Sequence, residues 1–277
     1  MLFASRVWIW SPPAEPYKEK IKMSYENKLY KGKVTLMFES RRHRYVWEEE
    51  DRVIKSVTTA LKIIAKPALI HWASTMAVEY IIEQIAPGQS YDEVELETIW
   101  EAAKWAHKNK KVHAGKIGTI LHKWIESYIK GEKPQMPVNK KLKRSVKRFL
   151  KWKKDHDVKF LISEQVTFSK KYGYCGTLDF ICSYYGENYV GDLKTSSGIY
   201  PETFLQTAAY RYSRVEEFPK EKYAGQLILR IGREDGTLEV GIIRGKENYR
   251  NMFKAFIYAL ALSNSMDNLK KFVPDRK

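Results

Sequence analysis

Two short segments rich in strand-forming residues, separated by a turn, constrain the fold of this chain more than any other feature. Residues 174–183 read Tyr-Cys-Gly-Thr-Leu-Asp-Phe-Ile-Cys-Ser, and residues 189–194 read Tyr-Val-Gly-Asp-Leu-Lys. The residues between them, 184–188, have the composition of a turn. The pattern predicts a β-hairpin that places Asp179 of the first strand beside Asp192 of the second.

Asp192 is followed two residues later by Lys194 in the second predicted strand. Side chains alternate between the faces of a strand, so these two point the same way, with Cα atoms roughly 7 Å apart. Two carboxylates can bind Mg²⁺ or Mn²⁺ through oxygen, and a lysine beside the ion can stabilise negative charge that develops on a phosphate. Taken alone, an Asp-Xaa-Lys tripeptide is more often a surface ion pair. The prediction of a metal site therefore depends on neighbouring segments.

Three further segments carry polar side chains at spacings that suit such a site. His122 and Glu126 lie four residues apart in a predicted helix, where the imidazole is a possible metal ligand, although a core or surface pair is the commoner explanation. Glu164, in the strand before the hairpin, is either an extra acid for the metal and its water or an ordinary strand-edge carboxylate. Gln206 and Tyr210, again four apart, either hold the lysine or a phosphate, or form a half-buried polar pair.

The order of predicted elements changes near residue 155. Before it, an early hairpin is predicted over 34–38 and 45–47, an N-cap at Ser56, and helices over 68–85, 91–110, 115–130 and 138–155. After it, strands are predicted over 160–168, 174–183, 188–194, 222–231 and 236–243, with helices over 201–214 and 247–263. This order predicts an α/β fold in which a central mixed sheet is flanked by helices and preceded by a mainly helical N-terminal region. The predicted organisation is a possible flexible extension (1–22), an N-terminal hairpin and helical subdomain (23–114) and a core (115–277).

The same polar residues occur in the order and approximate spacing of a known nuclease family. Gly118–Glu126 resembles the helical histidine motif of the RecB-like branch of the PD-(D/E)XK nuclease superfamily, Gly176–Asp179 its Gly-Xaa-Xaa-Asp motif, Asp192–Lys194 its Asp-Xaa-Lys motif, and Gln206–Tyr210 its Gln-Xaa-Xaa-Xaa-Tyr motif. The match covers residues 115–215. Upstream, Ser56–Thr59, Lys66–Leu69 and Trp72-Ala73 resemble more loosely the N-terminal segment of phage-encoded exonucleases and of the mitochondrial genome maintenance exonuclease.

The resemblance implies a PD-(D/E)XK (restriction-endonuclease-like) core and specific roles for its residues. It implies four catalytic residues, Asp179, Asp192, Lys194 and Glu164. It implies that one or two Mg²⁺ or Mn²⁺ ions are bound by His122, Asp179, Asp192 and the Leu193 carbonyl. Helicase-fused relatives often carry four cysteines for an iron–sulfur cluster, whereas this chain has two, so no cluster is expected.

Charge indicates how a DNA substrate would be held. The chain has a net charge of +16, and residues 130–159 hold twelve lysines and arginines against three acids. Such a segment favours sequence-independent binding of phosphates, although any single lysine is more often just solvated. The residues predicted to support the site or contact DNA are Glu126, Gln206, Tyr210, Thr195, Lys116, Lys111, Arg144, Lys147 and Arg148. Trp72, Trp100 and Trp105 are either base-stacking residues or part of a core.

Several functional classes are disfavoured by what the sequence lacks. No apolar run approaches the roughly 20 residues of a spanning helix, and the apolar start is interrupted by Arg6 without a convincing cleavage site, so neither a transmembrane protein nor a signal peptide is expected. Cys175 and Cys182 have an odd spacing that argues against a mutual disulfide and fits an intracellular, cytoplasmic location. No Walker-type motif is present, so no ATP requirement is expected.

Together these features predict a metal-dependent DNA exonuclease that acts on single-stranded DNA or free DNA ends in replication, recombination or repair, and that is phage-encoded. The alternatives are a structure-specific, flap-type endonuclease on the same core, or a catalytically silent DNA-binding accessory protein. A membrane-surface role is the weakest of the readings that the positive charge allows.

Overall fold

The computed structural model describes residues 24–233 and 235–274, and within these ranges the chain forms nine β-strands and six α-helices. The predicted extension over residues 1–22 lies outside them. The strands are β1 Ser24–Leu29, β2 Val34–Glu39, β3 Arg44–Trp47, β4 Arg52–Ser56, β5 Lys159–Ser169, β6 Tyr174–Tyr184, β7 Glu187–Lys194, β8 Gly225–Ile231 and β9 Leu238–Arg244. The helices are α1 Val57–Ala60, α2 Ala68–Gln84, α3 Glu93–Ile129, α4 Lys140–Asp155, α5 Pro201–Glu217 and α6 Lys246–Leu269.

The described residues divide into two compact units, one ending at Val53 and the other beginning at Ile54. In the first unit β1, β2 and β3 form an antiparallel meander. Apolar residues from these strands are buried, among them Leu29, Val34, Leu36 and Trp47. The predicted hairpin over 34–38 and 45–47 is confirmed. Strand β1 was not predicted, because its polar sequence, Ser-Tyr-Glu-Asn-Lys-Leu, is mostly exposed and lacks the alternation that marks a strand.

The second unit contains a mixed sheet. Strands β5, β6 and β7 form an antiparallel meander, β7 pairs in parallel with β8, and β8 pairs antiparallel with β9. Strand β4 pairs in parallel with the start of β6 at Ser56 and Cys175. Parallel strands need a long crossover connection, and α5 supplies it between β7 and β8. The predicted α/β class with a mixed central sheet flanked by helices is therefore confirmed.

Helices cover both faces of this sheet. On one face Leu121 and Ile125 of α3 and the apolar side of α4 pack against β6, β7 and β8. On the other face α1, α5 and α6 pack around Tyr174, Leu178 and Ile181 of β6. Because both faces are covered, β6 and β8 are buried along most of their length. Cys175 and Cys182 are buried free thiols.

Helix α3 corrects the prediction of separate helices over 91–110 and 115–130. It is continuous over 37 residues and includes both Gly115 and Gly118. Asp92 caps its first turn by accepting a hydrogen bond from the backbone N–H of Glu95, whose side chain accepts in return from the N–H of Asp92. A glycine costs a helix only about 1 kcal/mol relative to alanine, so two glycines do not break a helix that packs against α2 and the sheet.

Two other helix starts depend on side-chain caps. Ser56 caps α1 as predicted, since its hydroxyl accepts from the N–H of Thr59. Asn139 caps α4 by accepting from the N–H groups of Lys141 and Leu142, so this helix begins at Lys140 rather than at the predicted Val138, which is 98% exposed. Among the described residues, no helix is both long and apolar enough to cross a membrane.

Candidate functional site

The two aspartates of the predicted hairpin lie where strands β6 and β7 meet. The pairing of these strands runs from Tyr184 and Glu187 to Phe180 and Gly191, and one further step in the same register sets Asp179 opposite Asp192. At that step the carboxylate of Asp179 accepts a hydrogen bond from the backbone N–H of Leu193 at 2.8 Å. The hairpin prediction is confirmed, and its two carboxylates lie together.

Lys194 and Gln206 engage the carboxylate of Asp192. The side chain of Asp192 is fully buried, and its Oδ2 lies 2.6 Å from Nζ of Lys194. Its Oδ1 accepts a hydrogen bond from Nε2 of Gln206 at 2.9 Å, while Oε1 of Gln206 accepts a longer one from Lys194 at 3.4 Å. Nε2 of Gln206 also donates to the phenol oxygen of Tyr210 at 3.2 Å. Gln206, on helix α5, therefore contacts both the acid and the lysine and also forms the polar pair with Tyr210.

Asp192 Oδ2 is unusual among these atoms. It is buried and, among the described residues, accepts no hydrogen bond of good geometry, although the lysine ammonium lies close to it. A buried carboxylate oxygen without a well-aligned donor is costly unless a cation compensates it. Lys194 therefore supplies a single positive charge to a pair of acids.

The pKa values of Asp179 and Asp192 are both raised above the ordinary value for an aspartate. Desolvation raises the pKa of Asp179 to about 6, against the lowering effect of Lys194. Desolvation and then the negative charge of Asp179 raise the pKa of Asp192 to about 7. Burial alone acts to lower the pKa of Lys194, but Asp192 and Asp179 outweigh it, so the pKa is raised and the ammonium stays charged. The site therefore favours additional positive charge.

Glu164 faces the same region from strand β5. Its neighbours Ser163 and Gln165 pair with Phe180 and Leu178, which places Glu164 beside Asp179. Its φ of 48° lies in the left-handed region, a strained conformation for a residue with a side chain. Glu164 is exposed, but partial desolvation and then the charge of Glu126 raise its pKa to about 7. Strain of this kind is common at functional sites.

Helix α3 contributes His122 and Glu126 to this region. His122 is half-buried, and desolvation lowers its pKa, against the raising effect of Asp192. Its imidazole is therefore neutral at physiological pH, the form that binds metals. Glu126 forms an ion pair with Lys130 one turn further along the helix. In the part of the chain that the structure describes, no group of three or more His, Cys, Asp or Glu side chains is arranged to hold a metal ion.

The loop after Lys194 is fixed by residues that the sequence interpretation missed. Arg230, opposite Lys194 on β8, donates from Nε to the carbonyl of Ser196 at 2.8 Å and from Nη1 to Thr237 and Glu239. Gly118 of α3 lies against Thr195, since a Cβ at this glycine would meet the threonine hydroxyl at 2.6 Å. The available signal for Arg230 was a charge inside the apolar run Leu-Ile-Leu-Arg-Ile.

The predicted DNA-contacting residues lie on the outer surfaces of α3 and α4. Arg144, Lys147 and Arg148 belong to a groove of about 450 Å³ along α4 that is lined by six cations and no acid, the others being Lys140, Lys143 and Lys151. Lys111 and Lys116 are exposed on α3. The structure places all of these on elements other than the strands that carry the two aspartates. Trp100 and Trp105 of α3 are exposed, whereas Trp72 is half-buried with its ring at right angles to that of His107.

Comparisons with known proteins add no assignment to this geometry. The chain matches no protein-family model, and no curated protein matches it.

Proposed function

We propose that this protein is a metal-dependent DNA exonuclease with a PD-(D/E)XK core that hydrolyses phosphodiester bonds. The observation that carries the proposal is the pairing of Asp179 and Asp192 beside Lys194, with one oxygen of Asp192 buried and lacking a well-aligned hydrogen bond. Paired acids with an adjacent lysine suit phosphodiester chemistry, because the acids attract a divalent cation and the lysine stabilises a negatively charged transition state.

Asp179, Asp192 and His122 offer the kinds of donor atom that bind Mg²⁺ or Mn²⁺, although no metal-binding group is assembled among the described residues. Both are hard cations that prefer carboxylate oxygens, and Mn²⁺ also accepts an imidazole nitrogen such as that of the neutral His122. The raised pKa values of Asp179 and Asp192 indicate that the pair would gain from a nearby cation. Asp179 and Asp192 would hold the ion, with His122 and the Leu193 carbonyl as the further predicted ligands. When bound, the ion would supply Lewis-acid polarisation of the phosphate and a more acidic water.

The protein's own residues would carry the remaining steps. The ammonium of Lys194 would donate to a non-bridging phosphate oxygen, and Gln206 would hold that ammonium in place. Glu164 would accept the proton of the attacking water, because a carboxylate with a pKa of about 7 is well matched to proton transfer near neutral pH. The cation-lined groove of α4, with Lys111 and Lys116 of α3, would bind phosphates without regard to sequence.

The test is cleavage of labelled DNA with Mn²⁺ present. We expect linear single-stranded or double-stranded DNA labelled at either end to be shortened, and we expect Asp192→Ala and Lys194→Ala to reduce the rate at least 100-fold. Lys220→Ala, which removes an exposed lysine after α5, is the matched control and should leave the rate unchanged. Intact substrates with the wild-type protein, or full activity in Asp192→Ala, would contradict the proposal.

Circular single-stranded DNA separates the proposed exonuclease from the two alternatives. An exonuclease leaves circles intact, whereas an endonuclease linearises them. A silent accessory protein binds DNA in a salt-dependent way and cuts neither substrate.

A further inference from the structure

A second cleft, lined by aromatic rings and cations, lies between helices α5 and α6. Its volume is about 570 Å³, and its walls include Lys171 and Tyr172 from the turn that joins β5 to β6. None of its lining residues belongs to the set around Asp192. A volume of this size is enough for a nucleotide.

Four half-buried aromatic side chains form one side of the cleft. Tyr212 of α5 and Phe253 of α6 are stacked with ring centroids 4.1 Å apart and an angle of 5° between their planes. Tyr172 meets both rings edge-on, and Tyr249 stacks beside Phe253. Desolvation raises the pKa of Tyr212 and of Tyr249 to about 12, so both phenols are neutral at physiological pH. The rings form an aromatic surface of the kind on which nucleobases stack, and the guanidinium of Arg211 already lies over the ring of Tyr249, 4.1 Å from its centroid.

Positive charge surrounds this aromatic surface. Lys171, Arg250 and Lys254 line the cleft and are exposed, and no ion pair joins any of the three to a carboxylate among the described residues. The acid that lines the cleft, Glu216, already accepts hydrogen bonds from the hydroxyl of Ser169 and the N–H of Lys171. Three cations are therefore available to an anionic ligand, while the one carboxylate is engaged by the fold.

Helix α5 connects this cleft to the site around Asp192. Gln206 contacts Asp192, and Glu216 lies ten residues further along the same helix, which corresponds to about 15 Å at 1.5 Å per residue. Between them, α5 lies along β6, because Tyr210 packs on Gly176 and the phenol of Tyr174 donates to the carbonyl of Ala209.

We propose that the cleft between α5 and α6 binds single-stranded DNA as a subsite remote from the cleavage point. A base stacks on the aromatic side of the cleft, and its flanking phosphates are bound by Arg250, Lys254 and Lys171. This inference rests on the proposed nuclease function, because the DNA strand that binds in the cleft is the one whose phosphodiester bond lies at Asp192.

Binding without cleavage tests the subsite directly. In EDTA, fluorescence anisotropy measures the affinity of labelled oligothymidylates of 4 and 12 nucleotides. We expect Arg250→Ala/Lys254→Ala and, separately, Tyr249→Ala to weaken the binding of both oligonucleotides about tenfold. The substituted cations are exposed, and an unchanged melting temperature shows that the double variant is folded.

A matched double variant removes the same charge elsewhere. Lys28 and Lys33 are exposed in the first compact unit, and Lys28→Ala/Lys33→Ala should weaken the binding of either oligonucleotide by less than about twofold. If the cleft variants behave like this control, or if they weaken a blunt 12-base-pair duplex as strongly as the single strand, the subsite is overturned. If instead the proposed nuclease function is wrong, the wild-type protein cuts neither oligonucleotide in Mn²⁺, whatever the binding measurements show.

Discussion

Asp179 shows how a single carboxylate can weaken the fold while serving the proposed site. Its pKa is raised to about 6 by desolvation, well above the value near 3.9 expected in an unfolded chain. The stability it contributes is therefore complete below about pH 4 and is lost as the pH rises to about 6, because the folded state must then hold an unfavourable charge. Lys194 compensates this charge only in part.

We accordingly expect Asp179→Asn to stabilise the metal-free protein while abolishing cleavage. The amide oxygen can still accept the hydrogen bond from Leu193, and the repulsion with Asp192 disappears. Thermal unfolding in EDTA should show a gain of about 1–2 kcal/mol at pH 7.5 and almost none at pH 4. If Asp179→Asn is less stable than the wild type at pH 7.5, the charged carboxylate of Asp179 does not destabilise the folded state.

Gln206 provides a test of how the lysine is held. Gln206→Ala removes the contacts to Asp192 and Lys194 without changing the charge of the site. We expect kcat to fall about 10- to 100-fold, with KM nearly unchanged, because the lysine is then no longer held for the transition state. Tyr210→Phe, which removes the phenol oxygen that accepts from Gln206, is the milder comparison. An equal loss in the two variants would contradict this role for Gln206.

The chemistry of individual residues was more predictable from sequence than their partners. Asp179, Asp192 and Lys194 follow from a turn between two strands, so their proximity was predictable. Arg230 belongs to β8, and its partners Thr237 and Glu239 lie just across the turn to β9. Ser196, in contrast, is 34 residues away and meets Arg230 only because β7 and β8 pair in the folded sheet. A single sequence contains no signal for such long-range contacts.

At the level of elements, strands β5 to β9 and most helices were predictable because both faces of the sheet are covered, whereas β1 and β4 were not predicted. Buried strands such as β6 and β8 have apolar sequences bounded by turns, and α4 has one apolar and one basic face. The continuity of α3 was not predictable in this way. In the sequence, Gly115 and Gly118 suggest the end of a helix. In the structure, Gly118 instead leaves room for the close approach of the helix to Thr195.

The two glycines of α3 form a matched pair for a stability test. A methyl group at Gly115 would have no neighbour within 4 Å, whereas one at Gly118 would lie 2.6 Å from the Thr195 hydroxyl. We expect Gly115→Ala to stabilise the protein by about 0.5–1 kcal/mol, the usual gain in a helix. Gly118→Ala should give no gain and should lower kcat, because Thr195 follows Lys194 directly. Chemical denaturation measures the change in stability, and steady-state kinetics measures kcat. If Gly115→Ala and Gly118→Ala change both quantities equally, the close contact between Gly118 and Thr195 is excluded.

At the level of the whole molecule, charge is the dominant property. The net charge of +16 favours association with any polyanion, so bare affinity says little about where DNA lies. The cation-lined groove of α4 nevertheless has a defined geometry, with its six charges on one side of the helix and Leu142, Val146, Phe149 and Trp152 buried on the other.

This arrangement predicts how salt acts on DNA binding. Each phosphate contact contributes about 0.7–0.9 to the slope of log K against log salt concentration. We expect Lys147→Ala/Arg148→Ala to reduce that slope by about 1–2 in EDTA. Lys220→Ala/Lys222→Ala, which removes two exposed charges after α5, should leave it nearly unchanged. Equal slopes for the two double variants would remove α4 from the DNA-binding surface.

The length of α3 has a mechanical consequence. One uninterrupted helix of 37 residues carries the exposed Trp100 and Trp105 near one end and His122 and Glu126 near the other. It is about 55 Å long, so a tilt of about 5° around His122 displaces its first residue by about 4 Å. Because the helix is continuous, a contact that tilted it at Trp100 and Trp105 would also reorient His122.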